Sequence, residues 1–166
     1  MRRLVTLLAM LCLVPLAQAK GADDVRQLLD RAAITDTMHK YIWTVDSLDA
    51  DGYVSVFTAD AVIEQPGSST RGHEEIRKVV TGMASRQAAN RAAGKAPGAL
   101  YHVVTNERIS FQGATEATYF SYWQTMRRND EGRYVTGGFG RSEDHLVRQK
   151  NGSWLIKLRK LTVFAD

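Results

Sequence analysis

Four histidines, His39, His73, His102 and His145, are the side chains in this sequence best suited to moving protons near neutral pH. His39 falls one or two residues off the apolar stripe of a helical segment, and His145 lies among charges in a strand-like run. His73 opens a helix beside Glu74 and Glu75, but adjacent residues on a helix point in different directions, so the three do not form a coordination face. These three read as surface or capping histidines. His102 differs, because it sits early in the apolar run Leu100-Tyr101-His102-Val103-Val104-Thr105-Asn106. Strand alternation puts His102, Val104 and Asn106 on one face.

Asp46 is the natural partner to test against His102. It closes an apolar helix, where a carboxylate meets the unfavourable end of the helix dipole and needs compensation. A buried Asp–His pair would supply it, with Asp46 fixing the imidazole tautomer so that the other ring nitrogen acts as a base. Read from the residues alone, a structural role for each stays open beside the catalytic one. No metal site and no organic cofactor are implied by any motif.

The elements that must position these residues follow from periodicity. Asp23 and Asp24 are expected to cap a helix carrying Val25, Leu28, Leu29 and Ala32, continued on a rotated face by Ile34, Met38, Tyr41, Ile42 and Val45. The turn-rich stretch Ser47 to Gly52 ends it, and a second short helix is expected over Tyr53 to Phe57. Ala61 to Glu64 reads as a short strand, Pro66 to Ser69 as a turn. Gly72 precedes a third helix with Ile76, Val79, Val80 and Met83 as its stripe, and Ala92 to Gly98 as a loop after it. Four long strands are expected next: Leu100 to Phe111, Thr115 to Met126, Tyr134 to Gln149 and Trp154 to Phe164, the last two joined at Asn151-Gly152. Helices first and an antiparallel meander after give an α+β domain. Gly137, Gly138 and Gly140 in one strand suggest bulges or sharp curvature, and a curved sheet closed by helices encloses a cavity.

The chain opens Met1-Arg2-Arg3, then runs through about a dozen apolar residues to Ala17-Gln18-Ala19, the pattern of a secretory signal peptide with cleavage before Lys20. The apolar run is too short for a bilayer span of about 20 residues, so no membrane attachment is expected after cleavage. Cleavage at that point leaves residues 20–166 as a single domain of 147 residues, in the periplasm or secreted. Cys12, the single cysteine, leaves with the signal, so the mature domain has no disulfide and no thiol nucleophile. Removing Arg2 and Arg3 lowers Lys+Arg from 22 to 20 against 18 Asp+Glu, a net charge of +2. That is no footprint for nucleic acid, whose partners carry dense basic patches.

Arg31-Ala32-Ala33-Ile34-x-Asp36, Val45-Asp46 and Phe57-x-x-Asp60-Ala61, continued by Gly72-x-x-x-Ile76, His102-x-x-x-Asn106 and Trp154-x-x-x-x-Arg159, resemble SnoaL-like proteins. These belong to the superfamily named for nuclear transport factor 2, and the likeness covers roughly Asp23 to Val163. It implies a cone-shaped roll, a strongly curved antiparallel sheet closed by three N-terminal helices around an internal cavity. Within the superfamily the chain looks most like the branch of hexachlorocyclohexane dehydrochlorinase and scytalone dehydratase. By that resemblance Asp46 orients, His102 is the base, and Arg159 stabilises developing negative charge. The lysine of the dehydrochlorinase falls on Tyr41, and the stretch bearing scytalone dehydratase's second histidine reads Gly138-Phe139-Gly140. Arg159 is otherwise a solvated strand arginine beside Lys157 and Lys160. Asn106, Tyr119, Trp123 and Phe139 are candidates to line the cavity, or to pack the core. The implied substrate is a small, fairly apolar organic molecule, and pairing of two copies through the outer sheet face is common on the fold. Two functions fit: a lyase or isomerase working by proton abstraction, and a non-catalytic ligand-binding or assembly protein.

Overall fold

The computed structural model describes residues 14–129 and 131–164. The basic start and most of the apolar run expected to form a signal peptide, Cys12 included, lie outside them. Two compact units divide the chain, Met1–Ala33 and Ile34–Asp166. In the first, helix α1 (Val14–Asp46) is already under way before Asp23, so Asp23 and Asp24 sit inside the helix and cap nothing. Pro15 is tolerated in a first helical turn, and the Leu16-Ala17-Gln18-Ala19-Lys20 run that follows is rich in helix formers. Val25, Leu28 and Leu29, expected to face a core, are exposed. In the second unit, the buried stripe of α1 runs Ile34, Met38, Tyr41, Val45 at helical spacing. No helix among the described residues is long and apolar enough to cross a membrane.

The second unit holds the rest of the architecture. Helix α2 (Ala50–Val54) starts three residues before the expected position, because the Asp49 side chain accepts a hydrogen bond from Gly52 N at 2.9 Å and caps it. Phe57, expected in that helix, instead begins strand β1 (Phe57–Gln65). Gly67, at φ 77°, turns β1 into the short strand β2 (Ser68–Arg71), half of which had read as turn. Helix α3 (Gly72–Ala92) follows and buries Ile76, Val80 and Gln87. The four long strands are β3 (Leu100–Gln112), β4 (Glu116–Arg128), β5 (Tyr134–Arg148) and β6 (Trp154–Val163).

These six strands form one sheet in the order β2-β1-β6-β5-β4-β3. All neighbours are antiparallel except β1 and β6, which run parallel, so the meander expected of four strands is extended at its β6 edge by a hairpin from the front of the chain. Register shifts interrupt the β1–β6, β3–β4, β4–β5 and β5–β6 ladders, and such bulges bend and twist a sheet. One sheet face buries Ala117, Tyr119, Leu146, Trp154 and Ile156. Tyr41, Tyr53 and Phe57 pack edge-on or tilted with ring centroids 5.2–5.9 Å apart, fastening α1 and α2 to β1. Thr37 Oγ1 also donates to the Trp154 carbonyl at 2.9 Å, tying α1 to the start of β6. The result is the expected α+β fold, with helices leading into a curved, mostly antiparallel sheet.

Candidate active site

The last residue of α1 meets the third residue of β3. Asp46 Oδ2 accepts a hydrogen bond from His102 N at 2.9 Å, and Asp46 Oδ1 lies 2.5 Å from His102 Nδ1. Two N–H donors thus compensate a carboxylate placed at the negative end of a helix. A neutral ring in this pose carries its proton on Nδ1, which leaves the Nε2 lone pair as a base. Both side chains are about five-sixths buried, at 17% and 16% exposure, so the pair is shielded but reachable. His102 stands opposite Thr125 of β4 in register, on the sheet's inner face.

Arg159 is not a solvated arginine. It is 3% exposed, donates through Nη1 to Asp144 Oδ1 at 2.7 Å, and lies over the Tyr41 ring at 4.1 Å. Asp144 is wholly buried. Burial opposes the charge on Arg159, but Asp144 and the phenols of Tyr41 and Tyr53 outweigh it and hold its pKa above the ordinary value. Tyr53 is pushed well up by burial and by neighbouring Tyr41. Tyr119, opposite Asp144 in register, is raised by burial and then by the neighbouring Glu107 carboxylate. Asp144 Oδ2, Arg159 Nε and Trp123 Nε1 are buried with no hydrogen-bond partner among the described residues. Each such atom costs about 1–3 kcal/mol unless water or a ligand meets it.

The structure divides the residues expected to surround a substrate. Tyr119 and Trp123 are on the inner face, with Gly140 leaving room for the indole; a Cβ there would come within 2.6 Å of its Cζ2. Asn106 and Phe139 are on the other face, a correction to the expected lining. The β3–β4 register shifts between Thr105 and Arg108, so Asn106 (φ 56°) and Glu107 share one place and parity reverses. Glu107 takes the inward position, beside Tyr119 and 3.8 Å from His39 Nε2. Phe139 is 46% exposed, packed on Tyr122 and Phe164.

Asp144 and Glu107 are carboxylates of the inner face that sequence reasoning missed. The signal for Asp144 was present, since Leu146 sets the parity of β5 and Asp144 lies two residues before it. The other histidines have structural partners. His73 Nε2 donates to the Phe57 carbonyl at 3.0 Å, and His145 Nε2 is 2.9 Å from Glu143. No cluster of three or more His, Cys, Asp or Glu that could hold a metal occurs among the described residues.

Among the described residues, Asp46, His102, Arg159 and Tyr41 line neither of two hollows on the sheet. One of about 440 Å³ runs between Arg71, Gln112, His145 and Lys157, and one of about 320 Å³ holds Asn106 and Arg141. The cavity expected around the four residues is not among these, and Tyr41 is itself packed beneath Arg159 and against Tyr53.

Solved structures share this architecture. A hexachlorocyclohexane dehydrochlorinase, LinA-type3, from Novosphingobium barchaimii matches with a TM-score of 0.68 at 19% identity, over 86% of this chain and 91% of that one. A candidate scytalone dehydratase from Novosphingobium aromaticivorans gives 0.70 at 21% identity, over 86% and 89%. A protein of unknown function with a cystatin-like fold from Nostoc punctiforme gives 0.67 at 23%, over 83% and 93%. These likenesses establish the fold. No curated protein matches the sequence. The model of the SnoaL-like domain matches residues 26–160, most of the chain, and the protein belongs to that family.

Proposed function

We propose that this is an exported, cofactor-independent lyase or isomerase in which His102 Nε2 removes a proton from a small organic molecule. The observation that carries the reading is the double contact of Asp46 with His102, through the backbone N–H and through Nδ1. That contact fixes the ring's tautomer and its direction together. The C–H bond breaks, its proton goes to Nε2, and its electron pair either expels a leaving group from the neighbouring carbon or moves onto a carbonyl oxygen. Asp46 stabilises the imidazolium that forms. The buried cation Arg159, with Tyr41 beneath it, is the source of positive potential for the charge that develops. Membership of a family whose solved neighbours include a dehydrochlorinase and a candidate dehydratase supports elimination chemistry. The apolar start of the chain supports export, and secreted protein whose N-terminal sequence begins at Lys20 would establish the cleavage.

The test of catalysis is exchange and elimination in D2O, followed by mass spectrometry, with a β-hydroxy ketone, a polychlorinated cyclohexane and an enolisable ketone. The wild type turns over or deuterates at least one of them, and His102→Ala slows it by about 10²–10⁴-fold, the range for loss of a general base. A rate unchanged by His102→Ala removes the base and with it the mechanism. A second reading, a non-catalytic binding or assembly protein, is favoured by the single-pronged clamp of Asp144 on Arg159. It expects saturable binding with no deuterium uptake.

A further inference from the structure

The reversal of parity at the β3 bulge builds something on the face away from His102. Arg108 of β3 and Arg141 of β5 flank Phe120 and Tyr122 of β4 around a hollow of about 320 Å³, with Asn106 at its rim and Ser121 and Ser142 lining it. That volume lies at the lower end of the range for small-molecule sites. Neither arginine has an ion pair among the described residues. The Arg108 guanidinium is instead laid on the Phe120 ring, 4.7 Å from its centroid. A cation–π contact uses the flat face of the guanidinium and leaves its in-plane N–H groups unspent. Glu143, opposite Phe120 in register, shares this sheet face, and it is engaged with His145 Nε2 at 2.9 Å. Lys160, opposite Glu143, adds a further positive charge.

Beside the two arginines is an aromatic wall. Tyr122 stacks on Phe139 with ring centroids 6.2 Å apart and planes 19° from parallel. Phe164 packs against both, at 6.2 Å from Tyr122 and 5.2 Å from Phe139. All three are 40% exposed or more, a contiguous apolar patch of the kind that marks a binding surface. Positive forks with no carboxylate partner, next to open aromatic faces, describe a ligand with one planar anionic group joined to one ring. We infer that this outer hollow is a binding site for an aromatic carboxylate, held by Arg108 and Arg141 and stacked against Tyr122. The site is independent of the chemistry proposed for Asp46 and His102, which lie on the opposite sheet face. It stands if that chemistry fails.

Benzoate is the probe, titrated into the 15N-labelled full chain while amide shifts are followed. The site predicts saturable shifts centred on Asn106, Arg108, Phe120, Tyr122 and Arg141. Arg108→Gln or Arg141→Gln weakens binding roughly tenfold, the weight of one charge-assisted hydrogen bond. Acetate, an anion without a ring, and benzyl alcohol, a ring without charge, each bind at least about tenfold more weakly, and added salt weakens benzoate. Both arginines are exposed, so these variants are expected to keep the fold, and His102→Ala leaves the titration unchanged. Shifts centred on Asp46 and His102, or acetate binding as well as benzoate, would overturn the assignment. So would dimerisation in sedimentation that Tyr122→Asp abolishes while benzoate gives no saturable response, since the face would then belong to a second copy of the chain.

Discussion

Asp46–His102 and Asp144–Arg159 are the same kind of contact, a carboxylate oxygen within 2.7 Å of a nitrogen cation or cation-to-be, in two different surroundings. The first joins the end of a helix to the edge strand β3 and keeps about a sixth of each side chain open to solvent. The second is sealed between β5 and β6, with Asp144 wholly buried. In the first pair the carboxylate spends both oxygens on His102, and the ring keeps a free nitrogen. In the second the carboxylate spends one oxygen, and both partners keep an unsatisfied polar atom. A half-open pair suits proton transfer, because a substrate can approach the ring nitrogen that Asp46 leaves free. A sealed pair holds a fixed charge, which suits a scaffold or a preorganised field.

The largest effect should follow from breaking the sealed pair. Asp144→Ala leaves the Arg159 charge alone in the interior, and urea unfolding should show a loss of about 3–5 kcal/mol. Replacing both partners, Asp144→Leu with Arg159→Met, removes the stranded charge and should recover most of that loss. If the single variant costs nothing, Arg159 has water or another partner, and the contrast between the pairs collapses.

Asp46→Asn is the corresponding test on the open pair and should be milder, about 1–2 kcal/mol, because the amide oxygen still accepts from His102 N while the charge is lost. Its sharper readout is the imidazole tautomer. In the wild type, 15N shifts of His102 should report a ring protonated on Nδ1, and Asp46→Asn should move the population toward the Nε2-protonated form. A tautomer balance identical in both proteins would mean that Asp46 does not orient the ring.

Half of this contrast was visible in outline in the sequence. A carboxylate at a helix end and an imidazole early in an apolar strand made Asp46 and His102 candidate partners, with their contact left open, and the structure brings them to 2.5 Å. The burial of Arg159 could not be read, since Lys157 and Lys160 beside it make a basic run that looks solvated. Asp144 was hidden in the same way by Arg141, Glu143 and His145, which share its strand but point outward. The misplacement of Asn106 has another cause. One extra residue in β3 reverses the alternation, and nothing in Thr105-Asn106-Glu107-Arg108 announces a bulge. Strand β2 and the parallel β1–β6 pairing were missed because Ser68–Arg71 is short, polar and largely exposed, with no apolar pattern to read.

The smallest expected effect lies in the alkaline range and separates the interior from the rest of the molecule without a mutation. Tyr53 is raised well above the ordinary phenol value by burial and by Tyr41, and Tyr119 by burial and by Glu107. An unfolded phenol ionises near 10. Between there and the raised folded values, the unfolded chain loses these protons and the folded chain keeps them. The contribution of both tyrosines to stability is therefore complete below a pH of about 10 and declines as pH rises above it. Ultraviolet absorbance of phenolate at pH about 11 should count at least two fewer ionised tyrosines in the native protein than in guanidinium, out of six in the chain. Glu107→Gln, by removing the charge that faces Tyr119, should let that phenol ionise at lower pH while leaving Tyr53 where it was. If both phenols ionise with the unfolded set, water reaches the inner face, and the field around Arg159 is weaker than a sealed interior would give.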